Sequence, residues 1–372
     1  MSSSEWKDIV LEDAIEFKNG KKSPERQDEG TNPVYGGNGI IGYTEDSNST
    51  SETIIVGRVG AYCGSVYFYE GSCWVTDNAI IGKIKKDYDG RFLFYLLKLL
   101  DLNSHRTGSS QPLVNQTILN SIQVRVPIEK SKQAQIANIL SALDEKIELN
   151  CQANQTVEVV AQAIYKEWFV NFNFPGATGE MQGSELGPIP KGWNITKLGE
   201  HVTFVKGRKP KETSEKSTDK FLPQILIDTF DTGNYVYANP DNMIISEEND
   251  LLMVMDGASS GRVEFGIHGV VGSTLAIVKK VDFQAHHYLF NFLKSKEKDI
   301  KANTTGSSIP HADKHKINDY DFVIPDVSIL RNFENISKSM YELVRNNKEE
   351  IKALSKIRES LLPKLMNGEI EV

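Results

Sequence analysis

The sequence predicts an α+β protein built by internal duplication. Two globular units of mixed, mainly antiparallel β structure with helices are separated by two long antiparallel coiled-coil helices, in a pseudo-two-fold repeat. Three observations carry that prediction. An apolar stripe with alternating four- and three-residue spacing runs across 132–169, four short motifs occur twice in the same order, and a second such stripe follows the second set of motifs. At 372 residues the chain also exceeds the size, about 250–300 residues, at which single cores stop growing.

The first stripe is Ile136, Leu140, Leu143, Ile147, Asn150, Asn154, Val157, Ala161, Ile164 and Trp168. That spacing is the a/d seam of a coiled coil, and neither Pro nor Gly interrupts it. A helix over this stretch would reach roughly 55 Å at 1.5 Å per residue. Its apolar face is too narrow to be buried without a partner helix.

The partner comes from the duplication. Leu11 to Lys22 (LEDAIEFKNGKK) is echoed from Leu198 to Lys209 (LGEHVTFVKGRK). Gly60-Ala61-Tyr62-Cys63-Gly64-Ser65-Val66 returns as Gly257-Ala258-Ser259-Ser260-Gly261-Arg262-Val263. Thr107-Gly108-Ser109-Ser110-Gln111-Pro112 returns as Thr305-Gly306-Ser307-Ser308-Ile309-Pro310, and Val124-Arg125-Val126-Pro127 as Phe322-Val323-Ile324-Pro325. The offset drifts only from 187 to 198, which marks an internal repeat. After Pro325 the second stripe runs through Leu330, Phe333, Ser337, Met340, Val344, Asn347, Ile351, Leu354, Arg358, Leu361 and Leu365, with Asn347 at the position of Asn150. Polar seam residues cost stability but specify register and orientation.

These features divide the chain into 1–128, a first long helix with its linker at 129–185, a second unit at 186–325 and a second long helix at 326–372. Strands are expected at 53–56, 66–69 and 79–84 and again at 251–255 and 275–278, with one amphipathic helix in each unit, at 91–100 and 286–295. The small, polar stretch 174–184, followed by Pro188 and Pro190, reads as the linker into the second unit.

No apolar run approaches 18 residues and MSSSEWKDIV has no apolar leader core, so a cytoplasmic protein that spans no membrane is expected. Cys63, Cys73 and Cys151 form no C-x-x-C pair; Cys63 and Cys73 are either buried thiols or a metal pair, and no His cluster accompanies them. Enzyme signals fail on context. Gly37-x-Gly39-x-x-Gly42 matches a dinucleotide fingerprint, but a turn-like Tyr43-Thr44-Glu45-Asp46-Ser47-Asn48 follows where a helix is required. Pro325-Asp326 with Glu350-Ile351-Lys352 imitates a nuclease motif, yet Ile351 sits on the seam and turns Glu350 and Lys352 to solvent. No Asn/Asp-Pro-Pro-aromatic segment is present to hold an adenine amino group, and no Gly-rich strand-to-helix loop to hold S-adenosylmethionine.

The chain resembles the DNA-specificity subunits of type I restriction–modification systems over nearly its whole length. The residues that carry the resemblance are Gly187-Pro188-Ile189-Pro190-Lys191-Gly192-Trp193, Tyr35-Gly36-Gly37-Asn38-Gly39-Ile40-Ile41-Gly42-Tyr43, the T-G-S-S-x-P element before a V-x-V-P strand end, and the helix start Gln133-Ala134-Gln135-Ile136-Ala137-Asn138-Ile139-Leu140. The resemblance implies two target-recognition domains, each reading half of a split double-stranded DNA site, with the helical rod fixing their spacing. It implies no catalysis and no cofactor in this chain. Two adenine-methyltransferase subunits, carrying S-adenosylmethionine, would dock on the polar face of the rod and bring restriction subunits with them. The first unit departs from the pattern with only Glu5-Trp6 for P-x-G-W, and the second helix starts Arg331-Asn332-Phe333-Glu334. The second unit has Leu222-Pro223-Gln224-Ile225-Leu226-Ile227-Asp228 in place of the G-G-x-G-x-x-G stretch. Two different half-sites are therefore expected.

Candidate DNA contacts are polar residues on glycine-set loops, where backbone can approach a groove. In the first unit they are Arg58, Tyr62, Ser65, Asn78, Arg106, Thr107, Ser109, Ser110 and Gln111. In the second they are Asp256, Ser259, Ser260, Arg262, Thr304, Thr305, Ser307, Ser308, His311 and Lys314. The basic clusters Lys21 and Lys22, and Lys206, Arg208 and Lys209, are candidates for phosphate. The alternative is that the T-G-S-S loops are only turns stitched by their own hydroxyls, and the basic clusters solvated strand ends. Charge weighs against strong unaided binding. The net charge is −8 overall, −3 for 1–128, −4 for 129–185, −1 for 186–325 and 0 for 326–372, whereas phosphate neutralisation dominates DNA affinity. A free-standing DNA-binding regulator and a coiled-coil scaffold are the alternatives; the first is opposed by the charge, the second leaves the paired loops without purpose.

Overall fold

A computed structural model of the chain describes residues 5–105, 113–233, 235–280, 285–306 and 309–372. It divides into two compact units, 1–149 with 350–372, and 150–349, so each takes in a segment of both long helices. Those helices are Lys130–Phe169 and Val327–Met366, 40 residues each.

Within the first unit the helices run antiparallel. Asp144 Oδ1 accepts from Arg358 Nη1 at 2.6 Å, and two residues further along, Lys146 pairs with Glu350 at 3.3 Å. Within the second, Asn347 Nδ2 donates to Asn154 Oδ1 at 2.8 Å, and Tyr165 meets Phe333 ring to ring. Every seam position read from the sequence is buried or half-buried. Glu350 lies at the surface in its pair with Lys146, and Asp326 caps the second helix by accepting from Ser328 N at 2.8 Å, so the nuclease-like arrangement dissolves into helix chemistry.

Each unit is organised around a four-stranded antiparallel sheet of the same order. In the first the strands are, across the sheet, Ile15–Asn19, Ala79–Ile84, Thr53–Gly57 and Val66–Tyr69. In the second they are Val202–Lys206, Leu275–Lys280, Leu251–Val254 and Val263–Phe265. A separate antiparallel pair ties the start of each unit to the strand before its long helix: Trp6–Val10 with Gln123–Pro127, and Asn194–Lys197 with Asp321–Ile324. Trp6 therefore stands where Trp193 stands, and it supplies the aromatic that the missing P-x-G-W would have provided. It packs against the first core, and Trp193 packs beside Phe169, Phe172 and Phe174 in the second.

The amphipathic helices are Gly90–Leu99 and His286–Ala302, the second a full two turns longer than its apolar spacing suggested. Asp89 caps the first by accepting from Phe92 N at 2.8 Å. Gln133 joins it to the long helix. This side chain is 0% exposed; Oε1 accepts from Asp89 N and Nε2 donates to Pro127 O, both at 2.9 Å. Lacking that glutamine, the second unit uses Glu334, whose carboxylate accepts from Tyr288 N at 2.8 Å and from His287 Nδ1 at 3.0 Å.

The stretch Leu222–Ile225 does have a counterpart. It pairs in parallel with Gly269–Val271, as Asn32–Gly36 pairs in parallel with Trp74–Val75. What differs is the continuation. In the first unit a tight turn leads into the antiparallel strand Gly39–Thr44, with Gly39 at a φ of +88° that favours glycine. In the second, the helix Ile227–Thr232 intervenes. The G-x-G-x-x-G stretch is thus a hairpin, and the dinucleotide reading has no helix to rest on.

Candidate nucleic-acid interface

In both units the glycine-set loops lie at the end of the central sheet, held by one backbone framework. In the first unit Gly57 N donates to Ser65 O and Gly64 N to Gly57 O; in the second Val254 N donates to Arg262 O and Gly261 N to Val254 O, all at 2.8 Å. Arg58 N reaches Asn78 O at 2.9 Å while Arg58 O accepts from Val114 N at 3.0 Å; Met255 repeats both bonds with Thr274 and Ala312 at 2.8 Å. Gly20 N binds Ala79 O and Gly207 N binds Leu275 O. Isolated bridges Val59 to Leu113 and Asp256 to His311 close each framework. These loops are separated by long stretches of sequence, and the sheet register brings them together.

Arg58, Asn78 and Lys21 are gathered by these bonds in the first unit. Lys21 N binds Val75 O at 3.0 Å, at the end of the strand that leads into the turn holding Asn78. Arg58 Nη1 donates to Asp77 O at 3.2 Å, and its buried Nε has no hydrogen-bond partner among the described residues. Lys21, Lys22, Asn78 and Tyr62 are exposed and Ser65 half-buried. Arg106, Thr107, Ser109, Ser110 and Gln111 lie outside the described residues. The hairpin adds residues that side-chain type alone did not single out. A Cβ on Gly57 would come within 2.6 Å of Gly37 O, and one on Gly37 within 3.2 Å of Asn78 O. The exposed Asn38 therefore joins the same surface, accepting from Tyr67 Oη at 3.4 Å, and Ile40, Ile41 and Tyr43 leave the hairpin with exposed apolar side chains. Its glycine density was the available signal.

In the second unit Lys206, Asp256 and His311 form one cluster. Asp256 Oδ2 is 2.7 Å from Lys206 Nζ, and Oδ1 is 2.7 Å from His311 Nδ1. Burial works against the charge on Asp256, but those two hydrogen bonds outweigh it and hold the carboxyl below its usual range. Both oxygens are engaged, so Asp256 orients Lys206 and His311. Ser260 is buried, its hydroxyl 2.7 Å from Gly257 O and 3.1 Å from Pro310 O: it stitches the loop. Arg262 pairs with Glu264 at 3.0 Å and lies 5.7 Å from the Phe230 ring. Thr304 Oγ1 donates to Lys301 O, and Lys314 opens a short helix capped by Asp313. Ser259 is half-buried; Arg208, Lys209 and Thr305 are exposed. Ser307 and Ser308 lie outside the described residues.

Among the described residues no group of three or more His, Cys, Asp or Glu is placed to hold a metal ion, and no helix is long and apolar enough to cross a membrane. Cys63 and Cys73 are buried thiols in no disulfide, and burial pushes the Cys73 thiol up to about 11.

Comparison with known proteins matches residues 3–159 and 190–353 to the family described as the type I restriction modification DNA specificity domain. A type I restriction enzyme specificity subunit of Methanocaldococcus jannaschii, MjaIX, is 24% identical over 361 residues, covering 87% of this chain and 83% of the relative. The HindI specificity subunit of Haemophilus influenzae is 23% identical, over 75% of this chain and 77% of the relative. In fold, the chain is similar to the crystal structure of a type I restriction–modification S subunit from M. genitalium, with a TM-score of 0.66 at 17% identity, covering 98% of this chain and 97% of the other. Two tandem matches to one family model, falling on two units with one sheet order and one loop framework, make this chain a member of the type I restriction modification DNA specificity domain family.

Proposed function

We propose that this chain is the specificity subunit of a type I restriction–modification system. Each unit reads one half of a split site in double-stranded DNA, and the paired long helices set the gap between the halves. Two adenine-methyltransferase subunits dock on the chain, bring S-adenosylmethionine and the catalytic groups, and recruit the restriction subunits. The chain itself contributes recognition and no catalytic step.

The observation that carries this reading is the repeated loop framework with different side chains on it. Backbone hydrogen bonds are the same in both units, while Arg58 replaces Met255 and Ser65 replaces Arg262. A constant frame with changed polar positions suits two readers of two different sequences. The acidic balance of −8 fits a subunit whose partners supply most phosphate contacts. Large apolar residues stand exposed on the long helices: Ile139, Leu149 and Ile357 in the first unit, Val159, Val160 and Leu343 in the second. They favour protein partners over solvent on those faces.

Co-expression with a cognate adenine methyltransferase, followed by mapping of methylated adenines, tests the reading. One split motif with a fixed gap is expected; scattered or contiguous methylation refutes it. Exchanging 1–128 for the equivalent unit of another member should change one half-site only, and deleting one heptad from each long helix should shorten the gap and leave both halves unaltered. A gel shift at moderate salt separates the alternatives. Binding only with methyltransferase supports this reading, and binding by the chain alone supports a free-standing regulator.

A further inference from the structure

The bridge that closes the second loop framework differs in chemistry from its counterpart. Lys206, Asp256 and His311 occupy the places of Asn19, Val59 and Leu113: Lys206 pairs with Ala276 as Asn19 pairs with Ile80, and the Asp256–His311 bridge repeats the Val59–Leu113 bridge. One unit has a hydrogen-bonded trio centred on a carboxylate where the other has one amide and two aliphatic side chains. Nothing in the fold demands it, because the first unit closes the same framework without it.

The trio orients its histidine. An ionised carboxylate only accepts, so His311 Nδ1 carries the proton it donates to Asp256. With the proton on Nδ1, the neutral tautomer that this geometry selects presents Nε2 as an acceptor. The side chain is 48% exposed, and its backbone is clamped to Thr305 by bonds of 2.9 and 2.7 Å. Gly306 gives the ring its room, since a Cβ there would lie 2.9 Å from His311 Cδ2, and its φ of +93° suits glycine. Lys206 neutralises the carboxylate from the other side. A carboxylate that fixes the tautomer and orientation of an exposed imidazole is a positioning device.

We infer that His311 is a base-reading residue of the second unit, with Asp256 as its positioning residue, and that its Nε2 accepts from an exocyclic amino group of adenine or cytosine in the major groove. The inference rests on the DNA-reading function proposed above. The first unit, with Val59 and Leu113 at these places, has no equivalent reader, so the contact belongs to one half-site.

The test is methylation mapping with the full chain and its methyltransferase, comparing wild type with His311→Ala, His311→Gln, Asp256→Ala and Asp256→Asn. His311→Ala should leave the first half-site and the gap intact and relax one base pair of the second, where a preference of roughly 5- to 150-fold falls toward none. Asp256→Ala should relax the same base pair. Asp256→Asn keeps an oxygen for the Nδ1–H, so it should retain the base choice with less methylation overall. His311→Gln covers the case in which alanine abolishes methylation, and should alter preference at that one base pair. An unchanged second half-site in the His311 variants overturns the inference and leaves the parent reading standing, as does a uniform loss with the motif intact, which marks a purely structural role. Absence of any split motif in the wild type overturns both. Adenine or cytosine at the relaxed position identifies the amino group.

Discussion

Replacing Gln133 with leucine should unlock the first unit. The side chain is wholly buried, and its two hydrogen bonds satisfy Asp89 N, at the start of the helix Gly90–Leu99, and Pro127 O, at the end of the strand before the long helix. Leucine fills a similar volume, so the loss is polar. Two backbone groups are left without partners, each costing about 1–3 kcal/mol when buried. Partial relief by water and the added apolar burial reduce the total, giving about 2–4 kcal/mol. The assay is hydrogen exchange read by mass spectrometry on the full chain, because it resolves the two units where a global melt would merge them. Protection should fall in 90–99 and 123–127 and stay unchanged across the second unit's sheet at 251–280. A loss below about 0.5 kcal/mol in 90–99 would show that water or a shifted backbone satisfies both groups, and the assigned role of Gln133 would be refuted.

Asn347→Val should cost about 1–3 kcal/mol by stranding the Asn154 amide inside the helix pair, whereas adding Asn154→Val should recover most of it by removing both polar groups; chemical denaturation of wild type, the two single variants and the double variant, as a double-mutant cycle, measures the coupling. The second unit should lose stability as pH falls. Burial, with Lys280 nearby, depresses His286, so its contribution is complete above the unfolded value near 6.5 and is lost below it. Glu334 is held low against its burial by His287 and Tyr288 N, and its contribution disappears at lower pH, below the unfolded value near 4.3. Denaturation midpoints at pH 7.5, 5.5 and 4 should therefore decrease in steps, with His286→Gln flattening the first and Glu334→Gln the second. Substituting Lys21 and Lys22 by alanine should reduce the slope of log affinity against log salt by about one per lysine in the DNA complex, without altering base preference at any position; a changed motif would show that they read bases.

Much of this architecture was written in the sequence. Heptad spacing, paired motifs and β-type runs are local regularities, because periodicity reports which face of an element is buried wherever that element sits. That is why the seam positions, the strands expected at 53–56 and 251–255 and the glycine loops could be read before any contact was known. Tertiary structure decided what those elements do to one another. Nothing local says that Asn347 bonds to Asn154, that Glu334 does the work of Gln133, or that Leu222–Ile225 occupies the place of the glycine hairpin's first strand. Nor does residue type reveal that Asp256, a candidate DNA contact, has both oxygens engaged by Lys206 and His311, or that the Ser260 hydroxyl is spent on backbone. Lys206, Asp256 and His311 are far apart along the chain. Their meeting depends on the register of non-neighbouring strands, which the packing of a whole unit sets and no short stretch of sequence encodes.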